Sequence, residues 1–256
     1  LNFVCSSETA SDRHLGSIDV ENRLGNFLTS DIQLIDEANR SIILGDFFTK
    51  KLPTVLVMAY YECPMLCTLV LNGLSSALSK IDLIPGKDYN ALTVSIDPGE
   101  SPSLAKDKKI NYINNYFRDT ENQDFWTFAV SDQQNIDKLT TELGFNYSYD
   151  SKIDQYAHSA VVYVITEDGM ISKQIFGISP SSNDIKLAIL SASKNTFSSI
   201  FDKILLYCYQ YDPMAGGYSM VASNAMKIAG AISVVIIIIF ISILWIKERI
   251  NFERKI

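Results

Sequence analysis

The stretch TVLVMAYYECPMLC, residues 54–67, decides the fold of this chain. Its first part, residues 54–61, is β-branched and aromatic, which is typical of a buried strand. Residues 66–81 then place apolar side chains at helical spacing, so the pattern predicts a helix directly after the strand. Cys63 and Cys67 stand where the two elements meet, at the positive end of the helix dipole, which favours thiolate over thiol. The stretch therefore indicates sulfur chemistry, either redox or metal binding.

Strands and helices are predicted to alternate on both sides of this stretch. The predicted elements are two short strands around a turn in residues 32–48, strand 54–61, helix 66–81, strand 90–96, helix 104–116 capped by Ser103, strand 125–130, helix 132–143 capped by Ser131 and closed by Gly144, a hairpin of strands 159–166 and 170–176, and helix 183–192.

This order of elements predicts an α/β fold. The expected architecture is a central mixed sheet, mostly parallel, with helices on both faces, an N-terminal β-hairpin and a closing antiparallel hairpin. Such a plan is thioredoxin-like. It places the two thiols at the carboxyl end of a strand, where open α/β sheets carry their chemistry.

The composition predicts a packed protein with no affinity for nucleic acid. Hydrophobic residues make up 47% of the 256 residues and charged residues 20%, which argues for a core and against disorder. The net charge is −7, and the lysines are scattered along the sequence. Phosphate binding needs a concentrated basic face, so nucleic acid is excluded as a partner.

A membrane anchor is predicted near the C-terminus. Residues 228–246, IAGAISVVIIIIFISILWI, carry no charge. At roughly 1.5 Å per residue they span about 28 Å, close to the hydrocarbon core of a bilayer. Most of the flanking cations lie in residues 247–256, so the positive-inside rule places this tail in the cytoplasm. We therefore expect a single-pass protein of the cytoplasmic membrane with its domain on the periplasmic, extracytoplasmic side.

The sequence divides into five parts. We expect a flexible leader in residues 1–24, the thioredoxin-like domain in residues 25–195, a juxtamembrane helix and linker in residues 196–227, the transmembrane helix and the cytoplasmic tail. Because the chain begins at Leu1, an export signal has been removed or the start is truncated. Cys5 is interpreted as a lipid-modified N-terminus or a stray thiol, and Cys208 as a small buried apolar residue.

One of the two histidines is a candidate ligand. His14 lies in the polar leader and is expected to be solvated, whereas His158 immediately precedes the predicted strand 159–166. Thioredoxins carry a cis-proline at this junction, but the chain has no proline between Pro102 and Pro180. We interpret His158 as a metal ligand beside the two thiols, in preference to a structural histidine.

Cys63, Cys67 and His158 together favour a soft metal ion. Cysteines at positions i and i+4 of a helix have Cβ atoms about 5–6 Å apart, further than the ~3.8 Å of a disulfide, so metal fits the spacing more easily than a relaxed bridge. Copper accepts two sulfurs and an imidazole, whereas zinc usually takes a fourth ligand. Met65 is a packed apolar residue or a weak thioether donor. Asp97 is either a second-shell carboxylate or the start of an Asp-Pro turn.

The motifs YYECPMLCTLVLNGL, SIDPGESPSLAKDKK and QYAHSAVVYVITEDG resemble the Sco/SenC family of membrane-tethered copper chaperones, over about residues 22–213. The segment YDPMAGGYS before a C-terminal anchor is similar to a bacterial subgroup. The resemblance implies copper ligands at Cys63, Cys67 and His158. It also implies delivery to the binuclear copper site of a haem–copper (cytochrome c) oxidase, with the copper-accepting subunit and a thiol reductant as partners. The chain departs from many members at residues 98–100, where an Arg-Asp pair is common.

An alternative from another class stays open at this point. Cys63 and Cys67 are also a candidate catalytic dithiol, and the protein would then be a thiol–disulfide oxidoreductase that keeps the recipient's cysteines reduced. A third reading is a redox or metal sensor with no transfer role. We expect the chaperone and reductase functions to be compatible in one protein.

Overall fold

The computed structural model of the chain describes residues 19–63, 66–117, 123–151, 154–193, 209–212 and 217–220, together with residues 230, 233 and 240. Its strands are β1 (Gln33–Asp36), β2 (Ser41–Ile43), β3 (Thr54–Ala59), β4 (Asn90–Ser95), β5 (Trp126–Val130), β6 (Tyr147–Asp150), β7 (Gln155–His158), β8 (Val161–Ile165), β9 (Ile171–Phe176), β10 (Tyr209–Asp212) and β11 (Gly217–Met220). Its helices are α1 (Gly45–Thr49), α2 (Leu66–Leu78), α3 (Pro102–Tyr116), α4 (Gln133–Leu143) and α5 (Ser182–Ala192), with a 3₁₀ turn at Gln123–Phe125.

The predicted central sheet is confirmed, and it is mixed. It contains seven strands in the order β2-β1-β5-β4-β3-β8-β9. Strands β3, β4 and β5 run parallel, because the crossover helices α2 and α3 connect them. The other neighbouring strands are antiparallel. The expectation of a mostly parallel sheet is therefore wrong: the two hairpins, β1–β2 and β8–β9, add antiparallel strands at both edges.

The middle of the sheet is the core of the domain. Every residue of β3 and β4 is buried, as expected for strands covered on both faces. The indole Nε1 of Trp126 donates to Thr93 Oγ1 at 2.9 Å, and the hydroxyl of Tyr61 donates to the carbonyl of Ala129 at 2.7 Å. Helix α2 packs against α3 and α5, and α3 and α5 pack against strands of the sheet. This packing holds the end of β3 and the start of α2 in place.

Two predicted helix caps lie at neighbouring residues. Ser101, and not Ser103, caps α3: its side chain accepts the N–H three residues further on, and proline is then the first helical residue, where it is favoured. Asp132, and not Ser131, caps α4 in the same way. Gly144 closes α4 with a φ of 67°, as predicted.

The sequence interpretation missed two elements near the predicted strands. Residues 45–49 form the short helix α1, although they were assigned to a second strand. Strands β6 and β7 form a two-stranded antiparallel sheet of their own, in which Tyr147 pairs with His158. His158 is therefore the last residue of β7, and the strand predicted from residue 159 begins only at Val161.

The C-terminal predictions are largely untested. Strands β10 and β11 form a separate two-stranded sheet. Within the part of the chain that is described, no helix combines the length and apolar character needed to cross a membrane. The predicted transmembrane segment lies outside the described residues except for residues 230, 233 and 240, and the tail after it lies wholly outside. Cys5, His14, Met65 and Cys208 also lie outside them.

Candidate metal centre

The turn between β3 and α2 brings the two cysteines together. The N–H of Cys67 points at the Sγ of Cys63 at 3.3 Å, and the N–H of Tyr60 points at the Sγ of Cys67 at 3.5 Å. Neither cysteine forms a disulfide, and both are buried, with Cys63 8% and Cys67 2% exposed. The pair is thus a reduced dithiol at the carboxyl end of a central strand.

His158 reaches this dithiol from the neighbouring two-stranded sheet. Its Nε2 lies 2.9 Å from the Sγ of Cys67, across 91 positions of sequence. Its Nδ1 lies 3.0 Å from the carbonyl oxygen of Ser159. A carbonyl can only accept a hydrogen bond, so Nδ1 carries the proton and Nε2 turns its lone pair towards the thiol. The ring is therefore fixed in the tautomer that a metal ligand needs.

Burial sets the protonation of this pair. Desolvation raises the pKa of the Cys67 thiol well above its ordinary value and outweighs the N–H of Tyr60, which lowers it. At Cys67, burial therefore opposes the thiolate that a position near the helix start predicts. Burial also lowers the pKa of His158. Both groups are neutral near pH 7, and the Cys67 S–H donates to His158 Nε2.

The Cys67–His158 contact has hydrogen-bond geometry, and a bound ion requires a wider spacing. With bond lengths like those of zinc sites, a sulfur and a nitrogen that share one ion stand about 3.5–4.3 Å apart. Consistently, the described residues contain no cluster of three or more His, Cys, Asp or Glu side chains already arranged to hold a metal. Cys67 contacts His158 through its sulfur and Cys63 through its N–H, and loading an ion would need the Cys67–His158 pair to open slightly.

Asp97 forms the turn after β4. Its Oδ1 accepts the N–H of Gly99 at 2.8 Å, and its carboxylate hydrogen-bonds with Tyr156. Asp-Pro turns make such contacts. The described hydrogen bond of the His158 ring N–H goes to the backbone carbonyl of Ser159 and not to Asp97. Asp97 is therefore connected with the site only by way of Tyr156.

Aromatic rings that the sequence interpretation did not connect with the site surround the dithiol and His158. The rings of Tyr60 and Phe145 lie 6.3 and 5.7 Å from the His158 ring, centroid to centroid, and Tyr156 lies 5.3 Å from Tyr60. The Tyr60 side chain also hydrogen-bonds to Cys63, and burial together with this contact raises the pKa of Tyr60. The sequence pattern places Tyr60 in a strand, and only the folded structure shows that its ring lines the site.

Glu100 is the second missed residue. Its Oε1 accepts the N–H of Glu62 at 2.8 Å, and its Oε2 accepts the hydroxyl of Ser95 at 2.5 Å. The side chain is buried, and desolvation raises the pKa of this carboxyl. Its position two residues after an Asp-Pro pair suggested an exposed loop, so no local pattern could have revealed it.

With the site described, the comparisons decide the family. A family model described as SCO1/SenC matches residues 21–189, more than half of the chain. The chain belongs to the SCO1/SenC family. None of the curated proteins searched matches it.

Solved structures agree with the fold of a Sco/SenC domain. A protein from Aquifex aeolicus, provisionally described as an electron transfer protein, is 22% identical with a TM-score of 0.59, covering 68% of this chain and 97% of its own. BsSco, described as having a disulfide switch and as a member of the Sco family of cytochrome c oxidase assembly proteins, is 18% identical with a TM-score of 0.54, covering 69% and 99%. Arabidopsis thaliana ScoI, solved with copper bound, is 16% identical with a TM-score of 0.48, covering 61% and 90%.

Proposed function

We propose that this Sco/SenC protein is a metallochaperone that binds one copper ion through Cys63, Cys67 and His158. The observation that carries the proposal is the 2.9 Å approach of His158 Nε2 to Cys67 Sγ, one helical turn from Cys63. Membership of the SCO1/SenC family supports copper as the cargo. The expected recipient is the binuclear copper site of a haem–copper oxidase.

The donor set explains why copper fits better than other ions. Two sulfurs and one imidazole nitrogen are soft or intermediate donors, which copper(I) prefers. Zinc would take a fourth ligand or a water, and both cysteines and His158 are buried. Loading replaces two S–H protons by one Cu⁺, so two protons leave the site, and His158 Nδ1–H stays on the Ser159 carbonyl. A disulfide cannot supply these thiolates, so loading requires the reduced dithiol.

The proposed location follows from the sequence. The apolar segment 228–246 would anchor the chain in the cytoplasmic membrane, and the cations of residues 247–256 would hold the tail inside. The Sco/SenC domain would then face the extracytoplasmic side, where an oxidase copper site is accessible to it.

Copper stoichiometry of the full chain, reduced and purified in detergent, tests the proposal. We expect one tightly bound copper(I) per chain, and a loss of affinity of about 100-fold or more in Cys63→Ser, Cys67→Ser and His158→Ala, since each variant removes a ligand. His158→Asn separates the loss of the ligand from the loss of ring packing. Undiminished affinity in both His158 variants would refute the three-donor site.

Thiol–disulfide exchange is a second candidate function, favoured by the adjacent, reduced Cys63 and Cys67. Cys63 would attack a partner disulfide, and Cys67 would then displace the partner as its thiol. The contact between Cys67 and His158 counts against it as the sole role, because an imidazole beside the dithiol is a metal ligand in the proposed site. A Cys67→Ser variant that traps a mixed disulfide with the recipient would establish the exchange; a recipient that stays unlinked would exclude it.

A further inference from the structure

The buried carboxylate of Glu100 joins the end of β4 to the turn that carries Cys63. One oxygen accepts the backbone N–H of Glu62, the residue directly before the cysteine, at 2.8 Å. The other accepts the Ser95 hydroxyl at 2.5 Å, on the last residue of β4. One side chain therefore joins the end of β4 to the peptide group directly before the thiol.

The peptide groups of this turn need a partner from outside it. Strand β3 ends at Ala59, and helix α2 begins only at Leu66, so neither ladder bonds the N–H groups between them. The turn's own described bond, from the N–H of Cys63 to the carbonyl of Tyr60, is long at 3.4 Å. A buried N–H without an acceptor is costly, and hydrogen bonds to a charged acceptor are among the stronger ones. Glu100 supplies that acceptor.

We infer that Glu100 is the positioning residue of Cys63: its carboxylate clamps the Tyr61–Glu62 turn and thereby keeps the Cys63 sulfur beside Cys67 and His158. The role in copper loading rests on the proposed function, but the clamp itself is a property of the copper-free dithiol. Glu100 touches no reacting atom, and it acts through the Glu62 peptide group that it bonds.

Alkylation of the copper-free, reduced full chain tests the clamp. Iodoacetamide is added, the reaction is quenched at intervals, and fragment masses assign the label to Cys63 or to Cys67. In Glu100→Gln we expect Cys63 to react about tenfold faster, the effect of losing one charge-assisted hydrogen bond that restrains the turn. Cys67, which is the second residue of α2 and does not follow the Glu62 peptide directly, should change by less than about twofold. Ser95→Ala removes only the hydroxyl that donates to Glu100, so it should also raise the alkylation rate of Cys63, by a smaller factor than Glu100→Gln.

Asp36→Asn is the matched control. Asp36 is also a buried carboxylate that holds a turn, since its Oδ1 accepts the N–H groups of Ala38 and Arg40 at 3.0 and 2.8 Å. It lies in the β1–β2 hairpin, and the substitution likewise removes one negative charge. It should leave the alkylation of Cys63 unchanged.

The outcomes separate the clamp from general loosening and from the copper proposal. Unchanged labelling of Cys63 in Glu100→Gln and Ser95→Ala overturns the inference, as does equal acceleration of Cys63 and Cys67. If Glu100→Gln does not fold, Ser95→Ala decides alone. The alkylation experiment contains no copper, so its result does not depend on copper binding. A chain that fails to bind copper would refute the proposed function and leave the labelling result unaffected. In a chain that does bind copper(I), the weakened clamp should reduce affinity in Glu100→Gln relative to Asp36→Asn.

Discussion

At the scale of single residues, burial decides which groups carry charge. Cys67 and His158 face each other with their sulfur and nitrogen 2.9 Å apart, yet both lose most of their contact with water. Desolvation moves the two pKa values in opposite directions, towards a neutral thiol and a neutral imidazole. The site therefore keeps the Cys67 sulfur protonated, and so less reactive, until a soft cation replaces that proton.

Asp82 shows the contrasting behaviour of an exposed carboxylate. Its Oδ1 lies 2.9 Å from the Nζ of Lys186, and this hydrogen bond lowers the pKa of Asp82 below its ordinary value of 3.8. A lowered pKa in the folded state gives stability that is present above the unfolded pKa and is lost as the pH falls through the folded one. Because Asp82 is largely exposed, the contribution is at most about 1 kcal/mol.

Urea unfolding of Asp82→Asn at several pH values checks this sign. Near neutral pH we expect the variant to have a slightly lower free energy of unfolding than the parent chain. The difference should shrink below about pH 4 and vanish once both the folded and the unfolded carboxyl are protonated. A difference that grows on acidification would contradict the assignment. High salt at neutral pH should reduce it as well.

The sequence pointed to some residues of the candidate site and gave no indication of others. Cys63, Cys67 and His158 could be chosen as candidates because their side-chain chemistry is unusual and because the predicted strands share one edge of the sheet. Glu100 could not be chosen, since its function depends on the fold turning a loop glutamate towards a peptide group 38 positions earlier. Sequence pattern carries periodicity and composition, and it carries no information on such long-range contacts.

At the scale of secondary structure, helix α2 must approach the chain after β9 closely. A Cβ atom added to Gly73 would lie 2.1 Å from the carbonyl oxygen of Ile178 and 2.9 Å from the Cα of Ser179. The neighbours are backbone atoms, which cannot rotate away as a flexible side chain can. Gly73 is therefore required by the packing of α2, the helix that begins just before Cys67.

Gly73→Ala is expected to destabilise the domain although alanine is the better helix former. The gain in helix propensity is about 1 kcal/mol, while overpacking against backbone costs about 1–3 kcal/mol or more. We expect a lower denaturant midpoint with an unchanged slope. Gly230→Ala has nothing within 4 Å of the added Cβ and serves as the control. An increase in the midpoint of Gly73→Ala would show that the helix can shift away from Ile178.

The elements differ in how readily the sequence predicts them. Strand β3 is apolar except for Thr54 and is wholly buried, so its pattern and its burial coincide. The hairpin β6–β7 was missed because its strands, YSYD and QYAH, are short, tyrosine-rich and partly exposed. Tilted tyrosine rings contact one another across its two strands. Short strands outside the main sheet leave only a weak periodic pattern.

At the scale of the whole molecule, copper binding should raise the free energy of unfolding. An ion that binds the folded chain alone stabilises it by about 2.7 kcal/mol at a free concentration a hundred times its Kd. Thermal unfolding with buffered copper(I) should therefore show a raised midpoint for the parent chain and a much smaller rise for His158→Ala. The oxidised parent chain, which lacks thiolates, is the control and should not respond. An equal rise in all three samples would place the copper elsewhere.

The proposed ligands come from two parts of the domain: Cys63 and Cys67 lie in the turn and helix that follow β3 of the main sheet, whereas His158 ends β7 of the two-stranded sheet. An ion shared by them would act as a removable cross-link between the body of the domain and a small outlying hairpin. Empty and loaded protein would then differ in how firmly that hairpin is tethered. A recipient that contacts only the hairpin would thus distinguish the copper-bound from the copper-free protein before any ligand is exchanged.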